Sequence, residues 1–174
     1  DEARKSDYNP ERLKELIRQL QDIIRAIPED FLPDQREETD EMPMNRMNFD
    51  ILVAEDDSIN QQLMLDYFNM QGFDADLAGN GRLVLEKIHA KNYHLLLLDM
   101  QMPVMDGMET IRRIRSESRF DDLYVIALTG HAMIGDREKY MAAGCNDYMS
   151  KPINFQELQV KIEARIEAVR RGAQ

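Results

Sequence analysis

Residues 95–110 read LLLLDMQMPVMDGMET. Four consecutive leucines need a core, yet the run ends on a carboxylate, Asp99. A short, continuously apolar run fits a strand buried on both faces, because a strand with one wet face would alternate. The pattern recurs from Phe49 onward. ILVA (51–54) runs into Glu55, Asp56 and Asp57, and YVIAL (124–128) runs into Thr129. FDADLAG (73–79) supplies a shorter strand, and a fifth passes through Tyr148 into Lys151.

Amphipathic stretches separate these runs. SINQQLMLDYFNMQG is predicted to be a helix opened by a Ser58-to-Gln61 capping box and stopped at Gly72. NGRLVLEKIHAKN and DGMETIRRIRSES follow, the latter capped by Asp106 and Glu109. A fourth helix ends near Gly144, and Asn154 with Glu157 caps the last, NFQELQVKIEARIEAVRR. Five strands alternating with five helices predict an α/β fold with a five-stranded, doubly wound parallel sheet.

In such a sheet the residues that end the strands share one edge, where open α/β sheets bind ligands. Asp99 therefore converges with Glu55, Asp56, Thr129 and Lys151. Two like unit charges about 4 Å apart cost on the order of 4 kcal/mol at an effective dielectric near 20. Lys151 offsets part of that repulsion, and a hydrated Mg²⁺ (or Mn²⁺) held by the carboxylates offsets the rest. A metal, an ammonium and a hydroxyl are what phosphoryl oxygens require. A carboxylate can itself be the nucleophile, giving an aspartyl phosphate, and Asp99 is the best placed. Asp57, beside the acidic pair, reads as a solvated residue.

The composition agrees. The chain has 174 residues, 43% hydrophobic and 32% charged, with a formal net charge of −11. Globular composition is expected from the first two values. The acidity argues against nucleic acid, whose phosphates demand clustered Lys and Arg. A single cysteine, Cys145, excludes an intrachain disulfide and a cysteine-rich zinc site, and suggests a packed thiol in a reducing cytoplasm. No apolar run of about 18 residues predicts a membrane span. A chain that opens on Asp1 suggests a fragment of something longer.

Residues 1–27 hold an amphipathic helix over PERLKELIRQLQDIIRAI (10–27), with Pro10 at its start. Leu13, Leu16, Leu20, Ile23 and Ile27 make either a short coiled-coil seam or a face that packs on its own domain. It contains no histidine and so cannot donate a phosphoryl group from one. Residues 28–48 form an acidic linker broken by Pro28, Pro33 and Pro43. The α/β domain fills 49–174.

The set ILVAEDDSIN, LLLLDMQMPVMDG, ALTGHAM and AAGCNDYMSKPI closely resembles the receiver domain of two-component response regulators, nearest in wording to the receivers of hybrid histidine kinases. That resemblance implies a flavodoxin-like strand order, 2-1-3-4-5. It implies Asp99 as the phosphoacceptor, and Glu55, Asp56, Asp99 and the Gln101 backbone carbonyl as metal ligands. Thr129 and Lys151 would bind phosphoryl oxygens, Tyr148 would turn inward as Thr129 moves, and Pro152 would follow a cis peptide. Gln101 and His131 would tune dephosphorylation. A histidine kinase or histidine phosphotransfer protein would dock near Ile59 to Leu63 and Pro152–Ile153. Homodimerisation would use the face of the fourth helix, fifth strand and fifth helix, or else the N-terminal helix. Residence in the cytoplasm, or in the cytoplasmic part of a membrane-bound hybrid kinase, follows.

Two alternatives stand beside it. A phosphatase working through an aspartyl phosphate would want a second aspartate at position 101, where this chain has glutamine. A degenerate receiver, acting as a phosphorylation-independent interaction module, would have lost the acceptor, acid pair or lysine. The receiver reading makes the chain a phosphoacceptor signalling domain rather than an enzyme.

Overall fold

The computed structural model describes residues 49–130 and 136–172. The predicted helix over 10–27, the linker over 28–48 and His131 lie outside the described residues. Strands β1 (Ile51–Ala54), β2 (Ala75–Ala78), β3 (Leu95–Asp99), β4 (Tyr124–Thr129) and β5 (Asp147–Ser150) pair in the order β2-β1-β3-β4-β5. All four pairings are parallel, with Ile51 opposite both Ala75 and Leu95, Leu95 opposite Tyr124, and Ile126 opposite Asp147. Helices α1 (Ser58–Met70), α2 (Gly81–Ala90), α3 (Gly107–Arg115) and α4 (Asp136–Ala143) make the four crossovers, and α5 (Phe155–Gly172) follows the last strand. A 3₁₀ turn, Ser118–Phe120, precedes β4. The sheet and strand order match the sequence expectation.

The leucine run explains the layering. Its four side chains are all fully buried, but a strand sends alternate residues to opposite faces. Leu95 and Leu97 join Phe49, Ile51, Val53, Met64, Phe68, Leu158 and Ile162 under α1 and α5. Leu96 and Leu98 join Val84, Ile88, Ile111, Ile114 and Tyr140 under α2, α3 and α4. Each leucine contributes roughly 2 kcal/mol of burial, so one short strand organises two cores.

The helix ends mostly follow their sequence signals, with one correction. Asp57, not Ser58, caps α1: its carboxylate accepts from the amides of Ile59 and Asn60, both at 2.9 Å. The expected Ser58-to-Gln61 box does not form, because a fixed carboxylate one residue earlier already takes the free amides. Asp57 is solvent-exposed, as expected, and structural as well. Gln61 is released to bond elsewhere. Gly72 stops α1 with φ +77°, a conformation that costs glycine nothing. Asp106 caps α3 through the Glu109 amide, and Asn154 caps α5 through the amides of Gln156 and Glu157. Cys145 is buried, and burial pushes its thiol up to about 11, so it is protonated and inert at neutral pH.

Arg115, the last residue of α3, ties four segments together. It donates to the carbonyls of Gly144 at 2.8 Å, Phe120 at 2.7 Å and Leu123 at 2.9 Å, and to Asn146 Oδ1 at 2.9 Å. Replacing it by methionine keeps most of the apolar stem but leaves these acceptors without their donor. Arg115→Met is expected to lower the free energy of unfolding by about 3 kcal/mol in urea titrations. Arg115→Lys should rescue little, since one ammonium cannot reproduce the guanidinium fork. A variant within experimental error of wild type would refute this account.

Candidate functional site

Parallel pairing puts the ends of β1, β3 and β4 side by side, and the polar residues that end them meet at the carboxyl edge of the sheet. Lys151, one residue beyond β5, is anchored there by its amide, which donates to the Thr129 carbonyl at 2.7 Å. Its ammonium reaches across the sheet to Asp99 Oδ2 at 2.6 Å and Glu55 Oε2 at 2.5 Å. Glu55 and Asp99 are 2% and 4% exposed, whereas Asp56 is open to solvent. One oxygen from each of these three carboxylates lies within 4.8 Å of the others.

The electrostatics follow from that crowding. Burial, first of all, lifts the Asp99 carboxyl above its ordinary range, and the neighbouring Glu55 charge adds to the effect. Hydrogen bonds from Lys151 and from the Gln101 amide (2.9 Å to Oδ1) act in the opposite direction but do not cancel it. Burial alone would lower the Lys151 ammonium, yet its bonds to Asp99 and Glu55 outweigh that and raise it. The lysine is charged throughout the physiological range. One ammonium faces three carboxylates, which leaves room for about two further positive charges.

The donor set is all oxygen, on two buried carboxylates and one exposed carboxylate, with neither sulfur nor imidazole among them. Hard divalent cations such as Mg²⁺ and Mn²⁺ suit such a set. The residues present therefore fit the metal expected from the sequence.

Two neighbours of this cluster escaped the sequence reading. Asn60 Nδ2 donates to Glu55 Oε1 at 3.1 Å, and Gln61 Nε2 donates to the Glu55 carbonyl at 2.6 Å. Glu55 is thus held at its backbone and at both carboxylate oxygens. The signal was present, as two amides one helical turn after the acidic pair, but they were read only as helix and capping residues.

The remaining expected residues are near the edge but differ in setting. Thr129 is 3% exposed, with its hydroxyl 3.2 Å from the phenolic oxygen of Tyr140. Tyr148 is half-buried against the core under α2, α3 and α4, and the Arg137 guanidinium lies 6.0 Å from the centre of its ring. Gln101 is exposed and meets Asp99 through its backbone amide. The Lys151–Pro152 peptide is cis.

The region is similar to known proteins. A family model described as the response regulator receiver domain matches residues 51–163. Hybrid signal transduction histidine kinase I of Dictyostelium discoideum is 38% identical over 123 residues, which are 67% of this chain and 7% of that protein. The chain therefore spans a small part of the length of that relative. Among solved structures, the receiver domain of a sensor histidine kinase from Pseudomonas aeruginosa PAO1 is 33% identical with a TM-score of 0.63, covering 68% of this chain and 98% of that one. It holds a magnesium ion coordinated in its active-site cleft. The receiver domain of the response regulator Ssk1 from Saccharomyces cerevisiae, solved with the histidine phosphotransfer protein Ypd1, is 29% identical with a TM-score of 0.62. That match covers 66% of this chain and 86% of the other.

Proposed function

We propose, from the premise that this chain belongs to the response regulator receiver domain family, that it accepts a phosphoryl group on Asp99 from a phosphohistidine. The observation that carries the reading is the Lys151 ammonium shared between Asp99 and Glu55, within a cluster of three carboxylates. An Asp99 oxygen attacks phosphorus, the phosphorus–nitrogen bond breaks, and its electron pair stays on the imidazole. The product is an aspartyl phosphate, a mixed anhydride that water later hydrolyses.

Glu55, Asp56, Asp99 and the Gln101 carbonyl would hold Mg²⁺ or Mn²⁺. Bound there, the ion would neutralise charge on the transferring phosphoryl oxygens. Lys151 leaves its carboxylate partners for one phosphoryl oxygen, and the Thr129 hydroxyl donates to another. Their movement, with Tyr148 following inward, would repack the face of α4, β5 and α5, a local charge biasing a two-state element. Gln101 and His131 would set the rate of hydrolysis, and the Lys151–Pro152 segment belongs to the moving edge.

The donor would be a histidine kinase or a histidine phosphotransfer protein, by analogy with the Ssk1 complex. Ile59 and Leu63, 77% and 52% exposed and one helical turn apart on α1, provide an apolar docking strip beside the acidic cluster. We retain the division into 1–27, 28–48 and 49–174 as part of the proposal, with the first segment or the α4–β5–α5 face as routes to a homodimer. No helix among the described residues is long and apolar enough to cross a membrane. Cytoplasmic residence is the corresponding proposal. The interaction-module reading is not favoured, because acceptor, acids and lysine are all brought together.

Acetyl phosphate with Mg²⁺ tests the reading directly. Intact mass should show one phosphoryl adduct, absent when the metal is chelated. Failure to form an adduct, together with failure to bind fluoroberyllate, would overturn the proposal.

Asn60 gives a second test. Its amide holds the Glu55 oxygen that Lys151 does not, so Asn60→Ala frees a metal-binding carboxylate to rotate. Mg²⁺ affinity, measured by calorimetry, is expected to fall about tenfold, in line with other residues that orient metal ligands. Saturating Mg²⁺ should restore most of the adduct yield. An unchanged affinity would remove Asn60 from the site.

A further inference from the structure

Thr129 ends β4 on the same face as Val125 and Ala127, above the core shared with α2, α3 and α4. The hydroxyl meets a tyrosine other than the expected Tyr148. Tyr140, the buried residue of α4, reaches the strand and shares a hydrogen bond with the Thr129 hydroxyl at 3.2 Å. The two residues are 3% and 7% exposed, so no bulk water replaces either partner. The rest of α4 reads DRE, K and MAA, a largely polar helix whose one buried side chain is this tyrosine. Tyr148 sits on the adjacent strand, in register with Ala127, and packs half-buried against the same cluster. In the resting chain it is thus the tyrosine of α4 that bonds the Thr129 hydroxyl.

We infer that Tyr140 is a latch: its hydroxyl fixes Thr129 in the resting orientation, and engagement of Thr129 by a phosphoryl group breaks that bond and frees the buried anchor of α4. This inference rests on the phosphoacceptor reading. Its logic is that of a competition for one hydroxyl. Either oxygen of this pair can donate, and the latch takes Thr129 as the donor: its one proton then cannot serve both the Tyr140 oxygen and a phosphoryl oxygen. A buried hydrogen bond between neutral groups is also modest, enough to bias an equilibrium without locking it. Tyr140 is therefore a positioning residue for Thr129, and α4 receives the signal through it as well as through β5.

Tyr140→Phe removes the oxygen and keeps the ring, so the core under α4 stays filled. The probe is fluoroberyllate in saturating Mg²⁺, followed by ¹⁹F resonance of the bound ion and by thermal shift. The variant should be less stable than wild type, because Thr129 loses a buried partner, yet half-saturate at a fluoroberyllate concentration roughly three- to tenfold lower. Its Mg²⁺ affinity without fluoroberyllate should be unchanged. A residue that merely packs the fold would lower stability without tightening the ligand. Tyr67→Phe supplies that comparison, since it deletes a phenolic oxygen that donates to the distant Phe155 carbonyl at 3.3 Å. It is expected to lower stability and leave the midpoint where it was. An unchanged or weaker fluoroberyllate midpoint in Tyr140→Phe overturns the latch. Wild type failing to bind fluoroberyllate overturns the phosphoacceptor reading itself, and the latch with it.

Discussion

Asp99→Asn is expected to give no phosphoryl adduct under conditions where wild type is fully labelled, and to be the more stable of the two when metal is absent. The first half follows from chemistry: a carboxamide is a poor nucleophile and cannot form the acyl phosphate. The second half follows from the setting of the carboxyl. Burial chiefly, against the pull of Lys151 and the Gln101 amide, holds Asp99 above its ordinary range. The folded chain therefore binds that proton more tightly than the unfolded chain does. The stability this confers is full below the unfolded value, near 3.9, and is lost as pH rises through the raised folded value. At neutral pH the ionised Asp99 is a net cost to the metal-free fold. Asparagine removes the cost, and its carbonyl still accepts from Lys151. Thermal unfolding in a chelator checks the sign, and addition of Mg²⁺ should raise the midpoint of wild type but not of the variant. A less stable Asp99→Asn protein would mean that the Lys151 pair outweighs the burial. An adduct on the variant would move the acceptor elsewhere.

Gly107→Ala should damage both the fold and the site, though it adds a single methyl group. A Cβ at this position would lie 2.6 Å from the Asp99 carbonyl oxygen and 2.7 Å from the Met100 Cα. Both are backbone atoms at the end of a fully buried strand, so neither can swing aside as a side chain would. Either α3 retreats from the sheet or the Asp99–Met100 backbone shifts. The cost is expected to be about 3 kcal/mol, in the range for overpacking against a rigid wall. A shift of the acceptor also misaligns an in-line attack, where displacements near 1 Å cost on the order of a hundredfold. Urea denaturation and the rate of adduct formation from acetyl phosphate check the two effects separately. Wild-type stability with a slowed rate would show that the shift is absorbed at the site. Wild-type values for both would show that α3 is free to retreat.

These residues also show how far the chain could be read beforehand. The sheet was legible because the buried strands are continuously apolar and each ends on a chemically loaded residue. The acids, Thr129 and Lys151 were legible for the same reason, since parallel topology turns strand ends into neighbours. The α1 cap was misassigned by one residue because Ser58 and Asp57 are both good caps, and only the backbone decides between them. Arg115 was invisible beside Arg112 and Arg113, which share its type but not its reach to Gly144 and Asn146. Asn60 and Tyr140 act through partners 5 and 11 positions away in the chain, and nothing in their local pattern marks those contacts. Gly107 was legible only as part of the DGMETIRRIRSES helix, and the close approach of the Asp99 backbone belongs to the fold.

The alternation of the leucine run has a consequence for evolution. Because Leu95 and Leu97 serve one layer while Leu96 and Leu98 serve the other, the sheet acts as a bulkhead between two compartments. The compartment under α2, α3 and α4 contains Tyr148 and Tyr140, the latter bonded to Thr129, and on the proposed function would carry the message. The compartment under α1 and α5 backs the exposed Ile59 and Leu63, the proposed docking strip, and would carry the address. Changes on opposite sides of a rigid wall tend to add rather than interact. On the proposed function, a change of docking partner through α1 and a change of response through α4 would then be largely separable, with α5 the one helix common to both.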